Sequence, residues 1–139
     1  MSEGAKRVAI IVSKNTLDMA YPPLILAVTA AAMGMEVYLF FTFWGMYLLE
    51  KGGAKKAKLP GIMRLFTGMM EGKMQKVGVP PLEEMMKQAK EMGVKFYACQ
   101  TTMDVLGVMR EDLWEGVDDV VGAATFMNIA KDADVTLFI

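Results

Sequence analysis

The segment Arg7–Ser13, RVAIIVS, constrains the fold of this chain more than any other stretch. A nearly continuous run of valine and isoleucine has no polar side to turn towards water, so it reads as a strand buried on both faces, and such strands belong to parallel sheets covered by helices. The chain then repeats the unit. Ser13–Asp18 (SKNTLD) is turn and cap chemistry leading into MAYPPLILAVTAAAMG. This is a helix whose start Asn15, Thr16 or Asp18 can cap, whose prolines are tolerated in a first turn, and which Gly34 stops. Glu36–Thr42 (EVYLFFT) reads as a second buried strand, followed by a short helix, FWGMYLLEKGG, closed by Gly52 and Gly53.

The alternation continues downstream. Pro80 and Pro81 open the helix PLEEMMKQAKEMG, with Glu83 and Glu84 in its first turn and Gly93 at its end. Val94–Ala98 is the third strand, and after Cys99 the chain enters a short helix, TTMDVLG, ending at Gly107. An acidic loop (residues 110–119), a short strand at Val120-Val121, an amphipathic helix over Gly122–Asp132 and a last strand at Val135–Ile139 complete the pattern. About five strands alternating with helices predict an α/β protein, a three-layer α/β/α sandwich around a mainly parallel five-stranded sheet. With 139 residues, 54% apolar and 22% charged, one domain spanning 1–139 is expected. Residues 60–79 fit the alternation least. They carry Met63, Met69, Met70 and Met74 at helical spacing, and read as an insertion: a lid over the site, a subunit contact, or a helix packed on its own domain.

Absences exclude much chemistry. The chain has no histidine and one cysteine, so a Ser-His-Asp triad, a Cys-His dyad, an H-E-x-x-H site and a Cys/His zinc finger are all ruled out. One cysteine forms no internal disulfide, and a cytoplasmic location is the simplest expectation. A net charge of −1 argues against nucleic acid or anionic membrane as a partner. The charge is uneven, with eight basic and four acidic residues in 1–70 against seven and twelve in 71–139. MSEGAKR lacks the apolar core of a leader, and the apolar stretches 20–35 and 37–49 are too short to span a bilayer, so no stable membrane insertion is expected. SKNTLD lacks the glycines of a dinucleotide turn and no phosphate-binding P-loop occurs, so no cofactor is expected. Asp18, Asp104, Asp118 and Asp119 read as caps and loop residues rather than metal ligands, and Lys51, Lys55, Lys56 and Lys58 as a solvated face rather than an anion site.

Cys99 is the one chemically distinctive residue. Ligand crevices of open α/β sheets lie outside the carboxyl ends of the strands, where the strand reading places this thiol. Gln100, Thr101 and Thr102 follow it, so the sulfur lies near a helix start whose free amides and dipole favour a thiolate. Two considerations oppose this. Thr101-x-x-Asp104 has capping-box spacing, which satisfies those amides and brings a negative charge, and a free cysteine is often a small buried hydrophobe. From the residues alone both readings stand.

Four segments together resemble the DsrE/DsrF-like family of sulfur-relay proteins: SKNTLDMAYPPLILA (Ser13–Ala27), FFTFWGMYLL (Phe40–Leu49), ACQTTMDVLG (Ala98–Gly107) and GAATFMNIAKDADVTLFI (Gly122–Ile139). The resemblance covers residues 7–139 and is closest to a small archaeal and bacterial branch labelled peroxiredoxin or sulfurtransferase. That branch runs Ala-Cys-x-Met-Ser-Met-Asp-x-Met/Leu-Gly around its cysteine. Cys99, Met103, Asp104 and Gly107 match, while Thr101 and Thr102 replace Met and Ser. The resemblance implies a Rossmann-like five-stranded fold and a homo-oligomer (trimer, tetramer or hexamer). It also implies a cysteine carrying sulfur as a persulfide or thiosulfonate, a rhodanese-type donor and a TusA-type acceptor. Such a relay needs no base, metal or second cysteine. Asn15, Thr16, Asp18 and Tyr21 from the first strand's end, and Thr42, Phe43 and Trp44 from the second's, join Gln100, Thr101, Thr102 and Asp104 as candidate lining. Thr42 is assigned to bond a persulfide, and Tyr21, Phe43 and Trp44 either shield it or cap the core. Two other functions compete: an oligomeric adaptor using the methionine-rich segment and acidic loop, and, ranked last because no T-x-x-C occurs, a one-cysteine peroxidase.

Overall fold

Five strands pair side by side, every neighbour parallel, in a computed structural model that describes residues 6–139. Residues 1–5, part of the segment read as too polar for a leader, lie outside the described residues. The strands are β1 (Arg7–Val12), β2 (Glu36–Phe41), β3 (Lys95–Cys99), β4 (Asp119–Val121) and β5 (Val135–Phe138), in the order β4-β3-β2-β1-β5. The α/β reading is therefore correct. β1 and β2 are the apolar runs picked out from sequence, and in the centre of the sheet Ala9, Ile10 and Leu39 are fully buried. β5, at the edge, is largely exposed.

The helices are α1 (Leu17–Ala32), α2 (Thr67–Lys76), α3 (Leu82–Glu91), α4 (Gln100–Leu106) and α5 (Ala123–Ala130). β1 through β4 advance stepwise in one direction, then the chain returns past β1 to β5. Right-handed crossovers put the first connections on one face and α5 on the other. α1 and α3 pack together on the first face. β2 shows the alternation directly, since Phe41 stacks on Phe96 while Phe40 stacks on Phe126 of α5 at 4.6 Å.

Two local expectations are corrected, and a third segment takes a defined shape. Pro22 and Pro23 fall in the second turn of α1, because the helix starts at Leu17. FWGMYLL folds as a tight 3₁₀ segment, Phe43–Leu49, rather than an α-helix. Residues 60–79 become a 3₁₀ turn (Gly61–Phe66) and α2, in which Thr67 alone is buried and Ile62, Leu65 and Val77 are each 78% exposed. The segment still touches its own domain, since Met74 packs half-buried against the core and Thr67 Oγ1 accepts the Leu59 amide at 3.1 Å. The acidic loop is joined to the residues after the 3₁₀ segment: Trp114 N–H donates to Leu49 O (2.6 Å), Lys51 N–H donates to Asp112 O (2.9 Å), and Glu50 bridges Leu113.

Candidate functional site

The carboxyl edge of the sheet brings four chain segments into register. Phe41 pairs with Ala98 and Val12 with Phe41, so the next residues along, Ser13, Thr42 and Cys99, share one rim, with Val121 of β4 opposite Cys99. Cys99 ends β3 and forms the N-cap of α4, where it makes no capping hydrogen bond. It is 6% exposed. In the single chain the thiol is thus on the rim, as the strand reading places it, but covered.

A braced turn lies beside it. Thr102, one turn into α4 and 2% exposed, accepts the Phe43 amide at 2.9 Å and shares a 3.0 Å hydroxyl contact with Thr42. Phe43 has φ of +44°, a left-handed conformation uncommon for a bulky residue and held only where surroundings over-determine it. Next, Gly45 approaches β1 so closely that a Cβ there would stand 2.1 Å from the Val12 carbonyl oxygen. The 3₁₀ segment packs on both β3 and α4, the two elements that Cys99 joins. Phe43 and Trp44 are 52% and 55% exposed, so neither caps the core; Trp44 stacks instead on Tyr47.

Asp104 accepts from Gln100 Nε2 at 3.0 Å, one helical turn apart. The capping box expected from Thr101 and Asp104 is absent, since Cys99 rather than Thr101 begins the helix. Thr101 and Gln100 are exposed.

The residues expected from the first strand's end assemble elsewhere. Thr16 is the N-cap of α1 but makes no side-chain cap bond; the Leu17 amide donates to Lys58 O at 2.8 Å instead. Asn15 and Thr16 line a cleft with Lys56, Lys58 and Arg64. Asp18 and Tyr21 line a separate apolar cleft with Leu59, Met70 and Met74. Tyr21 O–H donates to Pro80 O at 2.9 Å, and burial, assisted by the Glu71 charge, pushes its phenol above the ordinary tyrosine range. Tyr21 is thus committed to the α1 side of the molecule, and Cys99 lines neither cleft.

Sequence reasoning missed the Thr102 brace and the contact of Gly45, for which the only signal was glycine following two aromatics directly after a strand. It also passed over Asp118, read as a loop residue, whose carboxylate accepts the Phe96 amide at 2.8 Å and pairs with Lys90.

The profile of the DsrE/DsrF/DrsH-like family matches residues 4–70 and 55–138. The chain belongs to this family. A member named sulfur carrier protein DsrE2, from Allochromatium vinosum, is 39% identical over 96% of this chain and 98% of its own length. YrkE of Bacillus subtilis, a protein without an assigned function, is 32% identical over the full length of both chains. Among solved structures, the ychN protein of E. coli superposes with a TM-score of 0.69 at 15% identity, covering 96% of this chain and 99% of that one. At that identity the likeness establishes the DsrE-like fold alone. Among the described residues, no helix is long and apolar enough to cross a membrane.

Proposed function

We propose that this protein is a sulfur carrier that holds sulfane sulfur as a persulfide on Cys99 and passes it to a protein thiol. The observation that carries the reading is the place of the chain's one cysteine. Cys99 stands at the carboxyl end of β3, beside β4, and crossovers from these neighbours depart to opposite faces of the sheet, the position at which open α/β sheets form their binding crevices. The relative named as a sulfur carrier supports it.

In the first step, the Cys99 thiolate attacks the outer sulfur of a donor persulfide. A new S–S bond forms on Cys99, the donor's S–S bond breaks, and the donor leaves as a thiolate. An acceptor thiolate then attacks the outer sulfur and Cys99 leaves as its thiolate. Neither step changes the overall oxidation state, and neither needs a base or a metal. Because Cys99 is covered in the single chain, donor and acceptor reach it when the exposed Phe43–Trp44 start of the turn shifts against α4, while Met46, Leu48 and Leu49 stay buried in the core. Thr42, on the rim next to Cys99, and Thr102, three residues after it in α4, are assigned to the loaded sulfur.

Incubation with polysulfide followed by intact-mass spectrometry tests the reading. Wild-type protein is expected to gain the mass of one sulfur atom and Cys99→Ala none. Unmodified wild type beside a labelled control thiol protein overturns it. An adaptor role has one observation in its favour, the exposed Ile62, Leu65 and Val77, and it predicts that Cys99→Ala leaves partner complexes and cellular function intact.

A further inference from the structure

The cleft at the start of α1 is a cation-lined site for which the sulfur chemistry has no use. Its volume is about 550 Å³, and its lining is Asn15, Thr16, Lys56, Lys58 and Arg64, walled by Leu59, Pro60 and Gly61. Among the described residues, none of the three cations lies within ion-pair distance of a carboxylate, whereas their neighbour Lys55 pairs with Glu83 at 3.7 Å. The nearest acid along the chain, Asp18, lines the adjoining apolar cleft rather than this one. Three like charges converging on one concavity repel one another, and a bound anion reverses the sign of that interaction. The arginine offers a planar fork and the lysines mobile point charges, the combination that suits tetrahedral oxyanions. Asn15 and Thr16 add polar side chains, the latter free of any capping bond.

From this we propose that the cleft binds a small molecule carrying two or more negative charges on tetrahedral oxyanion groups. The volume exceeds that of a bare oxyanion and falls in the range of organic ligands, so an organic body can lie against Leu59 and Pro60. The site is separate from Cys99. β1 and β3 are two strand spacings apart, about 10 Å, and Cys99 does not line the cleft. Two sources share this chemistry, phosphate esters and sulfur oxyanions, and the experiment distinguishes them.

The full chain, labelled with ¹⁵N, is titrated at low ionic strength with pyrophosphate, with ADP and with thiosulfate, and with sodium chloride matched for ionic strength. Saturable shifts are expected for the amides of Asn15, Thr16 and residues 56–64, weakening steeply with added salt. K56Q/K58Q/R64Q is expected to weaken binding at least tenfold, and the single variants K58Q and R64Q several-fold each; the three side chains are exposed, and the singles carry the test if the triple variant does not fold. Cys99→Ala is expected to bind as wild type does, so failure of the sulfur-carrier reading leaves this result intact. Preference for pyrophosphate or ADP supports a phosphate ester, preference for thiosulfate a sulfur oxyanion, and equal binding the shared chemistry. No saturable shift with any anion, saturation unaffected by the substitutions, or equal shifts with chloride overturns the proposal.

Discussion

Two neighbouring stretches of the carboxyl rim are built in opposite ways. Around β2 and β3 the rim is closed: the thiol is covered, Thr102 engages both Thr42 and Phe43, and Gly45 presses on the Val12 carbonyl. Around the start of α1 it is open, with cations that have no carboxylate partner among the described residues and a helix start without a side-chain cap, joined to the 54–66 segment through the Leu17–Lys58 backbone bond. Close packing protects a reactive atom and fixes a geometry, whereas open charge attracts a ligand at little cost to stability. One edge of one sheet thus offers two kinds of chemistry.

Substitutions sharpen this contrast. The largest effect is expected from Gly45→Ala, whose new methyl meets a backbone oxygen that has nowhere to go; urea unfolding should show a loss of about 3 kcal/mol. A loss below about 1 kcal/mol would mean that the closed stretch is softer than its geometry implies. Thr102→Val keeps the shape but strands the Phe43 amide, and should cost about 2 kcal/mol. The same variant should also speed alkylation of Cys99 in the folded protein, while Thr102→Ser restores both properties. An unchanged alkylation rate would separate the brace from access to the thiol. Smallest of all, Lys58→Gln at the open stretch should alter stability by no more than about 0.5 kcal/mol in the same unfolding experiment. A large effect there would erase the distinction between the two stretches.

Much of the fold was legible because burial on both faces leaves a strong mark. RVAIIV and EVYLFF can hardly be anything but central strands, and glycines 34, 93 and 107 stop their helices with the positive φ that the reading required. The site was half legible. The position of Cys99 follows from strand order, but its cover does not, because burial at a strand end depends on how the next crossover folds back, and FWGMYLL has too short a pattern to tell a 3₁₀ turn from an α-helix. Lys56 and Lys58 read as solvent-facing and are exposed, but a lysine run carries no record of its three-dimensional neighbours, so the cleft they line with Arg64, six residues beyond Lys58, left no mark in the sequence. Asn15 and Thr16 belong to that cleft for the same reason, since proximity in sequence to a strand end does not say which part of the rim a loop will join.

The seam between residues 49–51 and 112–114 ties the crossover leaving β2 to the one leading into β4. Movement of the 3₁₀ segment therefore pulls on the acidic loop as well. The two loops constitute one cooperative unit, whose amides at Lys51 and Trp114 should exchange hydrogen for deuterium together.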